Sequence, residues 1–163
     1  MFDEKLFKES QRLFEMNAFA IHNHMYLIKM EEGYAECGIK LHDDSKNPYG
    51  MAHGGTYYSL ADMTTGAVAR SDGRRHVTLN ASCSYLRAAQ EGELICKARC
   101  IHAGKKTTLC EAKVYDDKGT LCFTGQFTYF CIAEKGEPLP YNTKQAQILN
   151  RIAEDESGLN END

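Results

Sequence analysis

The sequence predicts an α+β domain in which a curved antiparallel sheet wraps one long central helix. Three observations predict it. A single long stretch of helical periodicity, residues 55–69, lies between two sets of strand-like segments. The strands after it are separated by short turn signals, as antiparallel neighbours require. The 163 residues are 42% hydrophobic and 26% charged, the size and composition of one domain, 1–163, with one core.

Each element has its own signature. Phe2, Leu6, Leu13 and Phe14 fall near one helical face, so an amphipathic helix over about 2–16 opens the chain. Residues 25–30 and 34–41 read as two strands around the turn at Glu32-Gly33. A turn-rich segment, 43–55, holds Pro48, Gly50, Gly54 and Gly55. In the central helix Tyr57, Leu60, Ala61, Thr64 and Val68 form one continuous face, and Ser71-Asp72-Gly73 ends it. Residues 76–86 alternate cleanly, which predicts Val77, Leu79, Ala81, Cys83 and Tyr85 on one face and Thr78, Asn80, Ser82 and Ser84 on the other. Strands follow over 94–102, 107–115 and 121–132, divided by Glu91-Gly92, Gly104-Lys105 and Asp116-Asp117-Lys118-Gly119. The C-terminal region, about 141–163, holds a polar helix over about 143–154 and an acidic tail. Glu154, Asp155, Glu156, Glu161 and Asp163 in that tail are expected to be frayed and solvated. A helix covering one face of a sheet leaves the sheet edges open, and open edges pair with other chains. A homodimer, or a dimer of dimers, is the expected assembly.

Composition narrows the function. The net charge is −4 with acids and bases interspersed, so no clustered basic surface for nucleic acid is expected. Neither a signal peptide nor a membrane span is expected: residues 1–16 lack an uninterrupted apolar core, and no apolar run reaches the ~18 residues of a spanning helix. Seven cysteines without a CxxC pair read as reduced, buried thiols in strands, which predicts a cytoplasmic protein. Cys96 and Cys100 are expected to share a strand face with His102. His22 and His24 would share a face if extended, but no third metal ligand stands at a characteristic spacing, and no metal or cofactor is expected.

The chemistry centres on residues 47–62. Gly54 and Gly55 open the helix, where a ligand can approach the backbone without a Cβ in the way. Amides of the first helical turn have no internal partner and lie at the positive end of the dipole. Such donors suit a carbonyl oxygen that becomes negative during attack, although a glycine pair is equally a plain loop-to-helix turn. Asp62 lies two turns in, where it has no capping role, beside Tyr58, Thr65 and Ala69. An acid there is either solvent-exposed or held in a pocket. Arg87, Lys105 and Lys106 are candidate phosphate contacts or ordinary solvated charges. No GxSxG elbow and no GxxxxGK[ST] loop is present, which disfavours a serine hydrolase and a nucleotide phosphate loop.

Asn47, His53-Gly54-Gly55 and Asp62, followed by Val77-Thr78-Leu79-Asn80 and Ser84-Tyr85-Leu86-Arg87, resemble the phenylacetate-degradation (PaaI) type of hotdog thioesterase. The likeness runs through Gly92, the turn from His102 through Lys106, and Asp117-Lys118-Gly119, over about 34–132. It implies a helix wrapped by an antiparallel sheet, edge-to-edge dimers and hydrolysis of acyl-CoA thioesters without metal or organic cofactor. By the same resemblance Asp62 matches the carboxylate that activates water or attacks the carbonyl, and the Gly54 amide and Asn47 side chain match the groups that polarise it. Thr78 falls where a Ser or Thr helps orient the water, and His53 either hydrogen-bonds the carbonyl or braces the loop. Gly55, Tyr85, Arg87, Gly104, Lys105 and Lys106 are the implied substrate and CoA contacts. The resemblance also implies a shared site, with Asn47 and Gly54 from one protomer and Asp62 and Thr78 from the other. One departure stands: Ala88 follows Arg87 where the family usually has Pro. Two alternatives to hydrolysis are an acyl-CoA sensor without turnover and a hotdog hydratase or dehydratase. The first lacks an output module, and the second calls for a different His–acid arrangement.

Overall fold

Residues 4–158 are described by the computed structural model, in the order α1 (Glu4–Glu15), α2 (Ala18–His22), β1 (Met25–Glu31), β2 (Tyr34–Lys40), α3 (Gly54–Ala69), β3 (Arg75–Tyr85), β4 (Glu93–Ala103), β5 (Thr107–Tyr115), β6 (Leu121–Ala133) and α4 (Lys144–Gly158). Phe2 of the predicted first helix, Glu161, Asp163 and the side chains of Asp155 and Glu156 lie outside the described part.

The six strands form one antiparallel sheet in the order β1-β2-β4-β5-β6-β3, and α3 packs across its concave face. The apolar stripe on α3 does what its periodicity predicts: Tyr57, Leu60, Ala61, Thr64 and Val68 are all buried. They meet Ile39, Leu94, Cys96, Val114, Phe123 and Phe127 from the strands in one core. Thr64 and Thr65 are fully buried, and each hydroxyl donates to the carbonyl one turn back, to Leu60 at 2.6 Å and Ala61 at 2.7 Å. Those bonds satisfy polar groups that would otherwise cost the core free energy.

Two elements differ from the sequence reading. Helix α2 is additional; Asn17 caps it by accepting from the Phe19 and Ala20 amides at 3.0 and 3.2 Å. It places His22 in a helix and is followed by His24 at φ 55, so the two imidazoles are not an extended pair. Among the described residues no cluster of three or more His, Cys, Asp or Glu could hold a metal. The second difference lies in β3, whose register against β6 slips between Thr78 and Asn80 and leaves Leu79 as an inserted residue. The clean alternation is therefore broken. Thr78 pairs with buried Tyr129, Ala81 with buried Phe127, and Val77 with exposed Phe130. A similar slip at Ile101 leaves His102 opposite Leu109, out of the face that Cys100 shares with Cys110.

Strand β3 is an edge of the sheet, and it carries exposed Val77, Leu79 (60%) and Tyr85. The Ala88 departure has a structural answer. The Tyr57 hydroxyl accepts from the Ala89 amide at 2.8 Å and holds the chain as it leaves β3. All seven cysteines are free, five of them buried, and no helix among the described residues is long and apolar enough to cross a membrane.

Candidate active site

Two groups of side chains gather on α3, one at its start and one in its middle. At the start, the loop before the helix is built by Asn47, whose Oδ1 accepts from the Tyr49 and Met51 amides at 3.0 and 3.2 Å. With the oxygen so occupied, the amide NH2 of Asn47 is left to donate elsewhere. The Thr56 hydroxyl and the His53 amide both donate to the Ser45 carbonyl, at 2.8 and 2.9 Å, which ties this loop to the helix.

His53 is the N-cap of α3, and its Nδ1 accepts from the Gly55 amide at 2.9 Å. Its ring thus braces the loop. The Gly54 amide has no protein acceptor among the described residues, so one helix N-terminal donor stays open. The Tyr85 ring lies over this point; a Cβ at Gly54 would stand 3.4 Å from it. Arg87, just beyond β3, is exposed near the same end, with its carbonyl 3.5 Å from the Tyr57 hydroxyl.

Asp62 is half-buried rather than fully solvated. The Thr78 hydroxyl donates to its Oδ1 at 2.8 Å, and the Tyr129 hydroxyl reaches the same oxygen at 3.0 Å and the Asp62 carbonyl at 2.8 Å. Burial, and then the negative charge of Asp62, push the Tyr129 phenol well above its ordinary pKa, so it remains a donor. Oδ2 of Asp62 has no protein partner among the described residues, and the residue lines a cleft of about 770 Å³. The bulge at Leu79 serves this cluster by setting Thr78 on the helix side of the sheet.

Gly104, Lys105 and Lys106 form the β4–β5 turn, closed by the Gly104 amide on the Thr107 carbonyl at 2.8 Å. Arg74, paired with Asp72 at 2.7 Å, donates to the Gly104 carbonyl at 2.8 Å, which places the turn near the start of β3. Arg87 lies past the other end of that strand. Within one chain the structure gathers Asn47, His53, Gly54, Gly55, Tyr85 and Arg87 at one end of α3, and Asp62 with Thr78 further along it. It does not join the two groups. Eight residues of helix separate Gly54 from Asp62, about 12 Å of rise.

Sequence reasoning missed Tyr129. The signal available was weak: a tyrosine at an inward strand position whose hydroxyl needs a partner. It predicted the terminal helices but not their place at the cleft, where Phe14, Phe19, Tyr141 and Leu149 line the wall beside Asp62.

Residues 49–123 match the family described as Thioesterase superfamily. A hypothetical thioesterase protein from Streptococcus pneumoniae, solved with coenzyme A, is 29% identical, with a TM-score of 0.71 over 77% of this chain and 98% of that one. Two mutant forms of a hypothetical thioesterase from the same organism, an aspartate-to-alanine and a threonine-to-alanine change, are each 31% identical with a TM-score of 0.65. They cover 68% of this chain and 92% and 91% of theirs. A putative esterase of Archaeoglobus fulgidus is 28% identical over 113 residues, 69% of this chain and 73% of that protein. The PaaI protein of the Escherichia coli phenylacetic acid degradation operon has the same fold, with a TM-score of 0.78 at 21% identity over 83% of this chain and 99% of that one. A helix wrapped by a six-stranded antiparallel sheet and these likenesses agree: the chain belongs to the thioesterase superfamily, and is a thioester hydrolase of hotdog fold.

Proposed function

We propose that this protein is an acyl-CoA thioesterase, working in the cytoplasm as a homodimer with two composite sites. The observation that carries the reading is the state of Asp62: one carboxylate oxygen anchored by Thr78 and Tyr129, the other free at a cleft large enough for an acyl group. The free oxygen takes a proton from water, or attacks directly, and the thioester carbonyl carbon gains a C–O bond. The carbonyl oxygen becomes negative in that step and receives hydrogen bonds from the Gly54 amide and the Asn47 side chain. The C–S bond then breaks and the CoA thiolate leaves. On the water route the thiolate takes up the proton that Asp62 removed; on the direct route water then cleaves the Asp62 acyl anhydride, which frees the acid, restores the carboxylate and supplies the thiolate's proton. A thiol's pKa of about 8.5 makes it a far better leaving group than an alkoxide, so a base and two donors suffice.

A span of about 12 Å keeps one chain's Gly54 and Asp62 from touching the same carbonyl, and the open edge supplies the remedy. If two β3 strands pair antiparallel about a twofold between Ala81 and Ser82, Thr78 of one chain comes opposite Tyr85 of the partner subunit. Gly54, Asn47, Tyr85 and Arg87 of one protomer then join Asp62, Thr78, Lys105 and Lys106 of the other. The coenzyme A bound to the S. pneumoniae relative supports the substrate class. That organism's two mutant forms replace an aspartate and a threonine 16 positions apart, the separation of Asp62 and Thr78 here. Seven free cysteines suit a reducing compartment.

Thiol release from a panel of short, long and aromatic acyl-CoAs tests the reading. Turnover of at least one thioester is expected, undiminished by chelator. In Asp62→Asn, kcat should fall by ~10²-fold or more with the melting temperature preserved. Near-full activity in that variant, or tight binding without turnover by the unmutated chain, would contradict the proposal.

A further inference from the structure

The cleft beside Asp62 runs along one face of α3, which presents Asp62, Met63, Gly66 and Arg70 to it. Phe14, Phe19, Val77, Ile132 and Leu149 give much of its wall an apolar character. Gly66 keeps the floor low, since the atom nearest to an added Cβ is the Tyr129 hydroxyl at 3.6 Å.

The far end is different in kind. Arg70 and Arg75 both line it, and Asp62 is the sole acid lining the cleft among the described residues. Among the described residues the Nε of Arg70 is buried without a hydrogen-bond partner, and its guanidinium lies over the Phe14 ring at 5.8 Å. Among the described residues the Arg75 side chain makes one long bond, to the Gly73 carbonyl at 3.4 Å. Nearby acids do not neutralise the pair. Asp72 is held by Arg74 at 2.7 Å, Glu9 faces Lys5 at 3.9 Å, and Glu32 is exposed with no ion pair to either arginine among the described residues. Burial pulls the Arg70 guanidinium down to about 10, which still leaves it protonated at neutral pH. Two adjacent cations at the end of an apolar trough are unfavourable alone and favourable with a bound anion.

We infer that the acyl group accepted here ends in a carboxylate: the substrate class is the CoA thioester of a dicarboxylic acid, with its thioester at Asp62 and its free carboxylate between Arg70 and Arg75. This rests on the acyl-CoA thioesterase reading above. The apolar body of the acyl group spans the distance from Asp62 to Arg70, eight helical residues or about 12 Å. A plain chain leaves both cations unpaired, and that difference is the source of selectivity.

The test compares straight-chain acyl-CoAs with ω-carboxyacyl-CoAs of matched length, read as kcat/KM from thiol release. At the best length the ω-carboxy substrate should be preferred by about tenfold or more, as expected for a charge-assisted pair in a partly buried site. The preference should collapse in Arg70→Met and shrink in Arg75→Gln, and it should weaken with added salt. A ratio at or below one at every length in the unmutated protein overturns the inference. So does a preference that both variants leave intact. If plain chains alone are hydrolysed, the thioesterase reading stands and this inference falls. If neither series is hydrolysed, both fall.

Discussion

At Asp62 the two carboxylate oxygens have separate tasks in the proposed mechanism. Oδ1 is spent on Thr78 and Tyr129, which fixes the rotamer, and Oδ2 is kept for the reaction. Gly54 has a similar economy: it contributes one amide hydrogen and needs no side chain. That makes its role separable by chemistry. Gly54 is the first residue of α3, where proline is tolerated, and His53 before it has φ −64 and ψ 144, an extended conformation that accepts a following proline. Gly54→Pro therefore deletes the donor while keeping the helix. Its kcat should drop by about 10²–10³, whereas Gly54→Ala, which retains the amide and meets only the Tyr85 ring at 3.4 Å, should lose far less. Steady-state kinetics with circular dichroism on both variants checks this, and equal activity in Gly54→Pro and Gly54→Ala would remove the amide from the mechanism. Asp62 stood out in the sequence as a mid-helix acid without a capping task, but the local pattern left open whether it was exposed or held in a pocket, and its proposed role came from the family resemblance. Tyr129 did not stand out: it lies 67 positions away, and only the fold brings its hydroxyl to the carboxylate.

Strand β3 shows how one inserted residue changes what a pattern means. Alternation along 76–86 reads as a regular strand, but the insertion at Leu79 lets Thr78 and Ala81 both face the helix, which strict alternation forbids. Bulges are a matter of pairing with a neighbour, so the strand's own sequence carries little trace of them. The other helices and strands were legible to within a few residues, since most have a strong period and turn residues near an end. Helix α2 was the exception, being five residues long with only the Asn17 cap to announce it. An apolar, solvent-facing edge such as β3 is an invitation to a second chain, and Leu79 is its most exposed apolar residue at 60%. Leu79→Asp should place an unpaired charge in the proposed apolar twofold interface. The expected result is a folded monomer by light scattering, with thioesterase activity lost. A dimer of unchanged mass and activity would move the interface elsewhere.

At the scale of the whole molecule, the proposal treats each chain as two half-sites held apart by a rigid helix. Helix α3 fixes Gly54 at one end and Asp62 in the middle, and residues of α1, α2 and α4 line the cleft beside Asp62; in the proposal the sheet edge supplies the twofold. The residues of the proposed half-sites stand out as a motif, Asn47 through Asp62, because they are close in sequence. Their separation in space does not, since a motif lists residues without saying which ones face the same molecule. Mixed dimers measure that separation directly. Asp62→Asn and Gly54→Pro chains, each nearly inactive alone, are unfolded and refolded together, with subunit exchange confirmed by mass-tagged chains. About half the dimers are then heterodimers, in which one site carries both lesions and the other carries none. The composite-site account predicts recovery to about a quarter of unmutated activity. If Gly54 and Asp62 serve a site within one chain, every site in the mixture carries a lesion, and the absence of recovery in confirmed heterodimers would contradict the account.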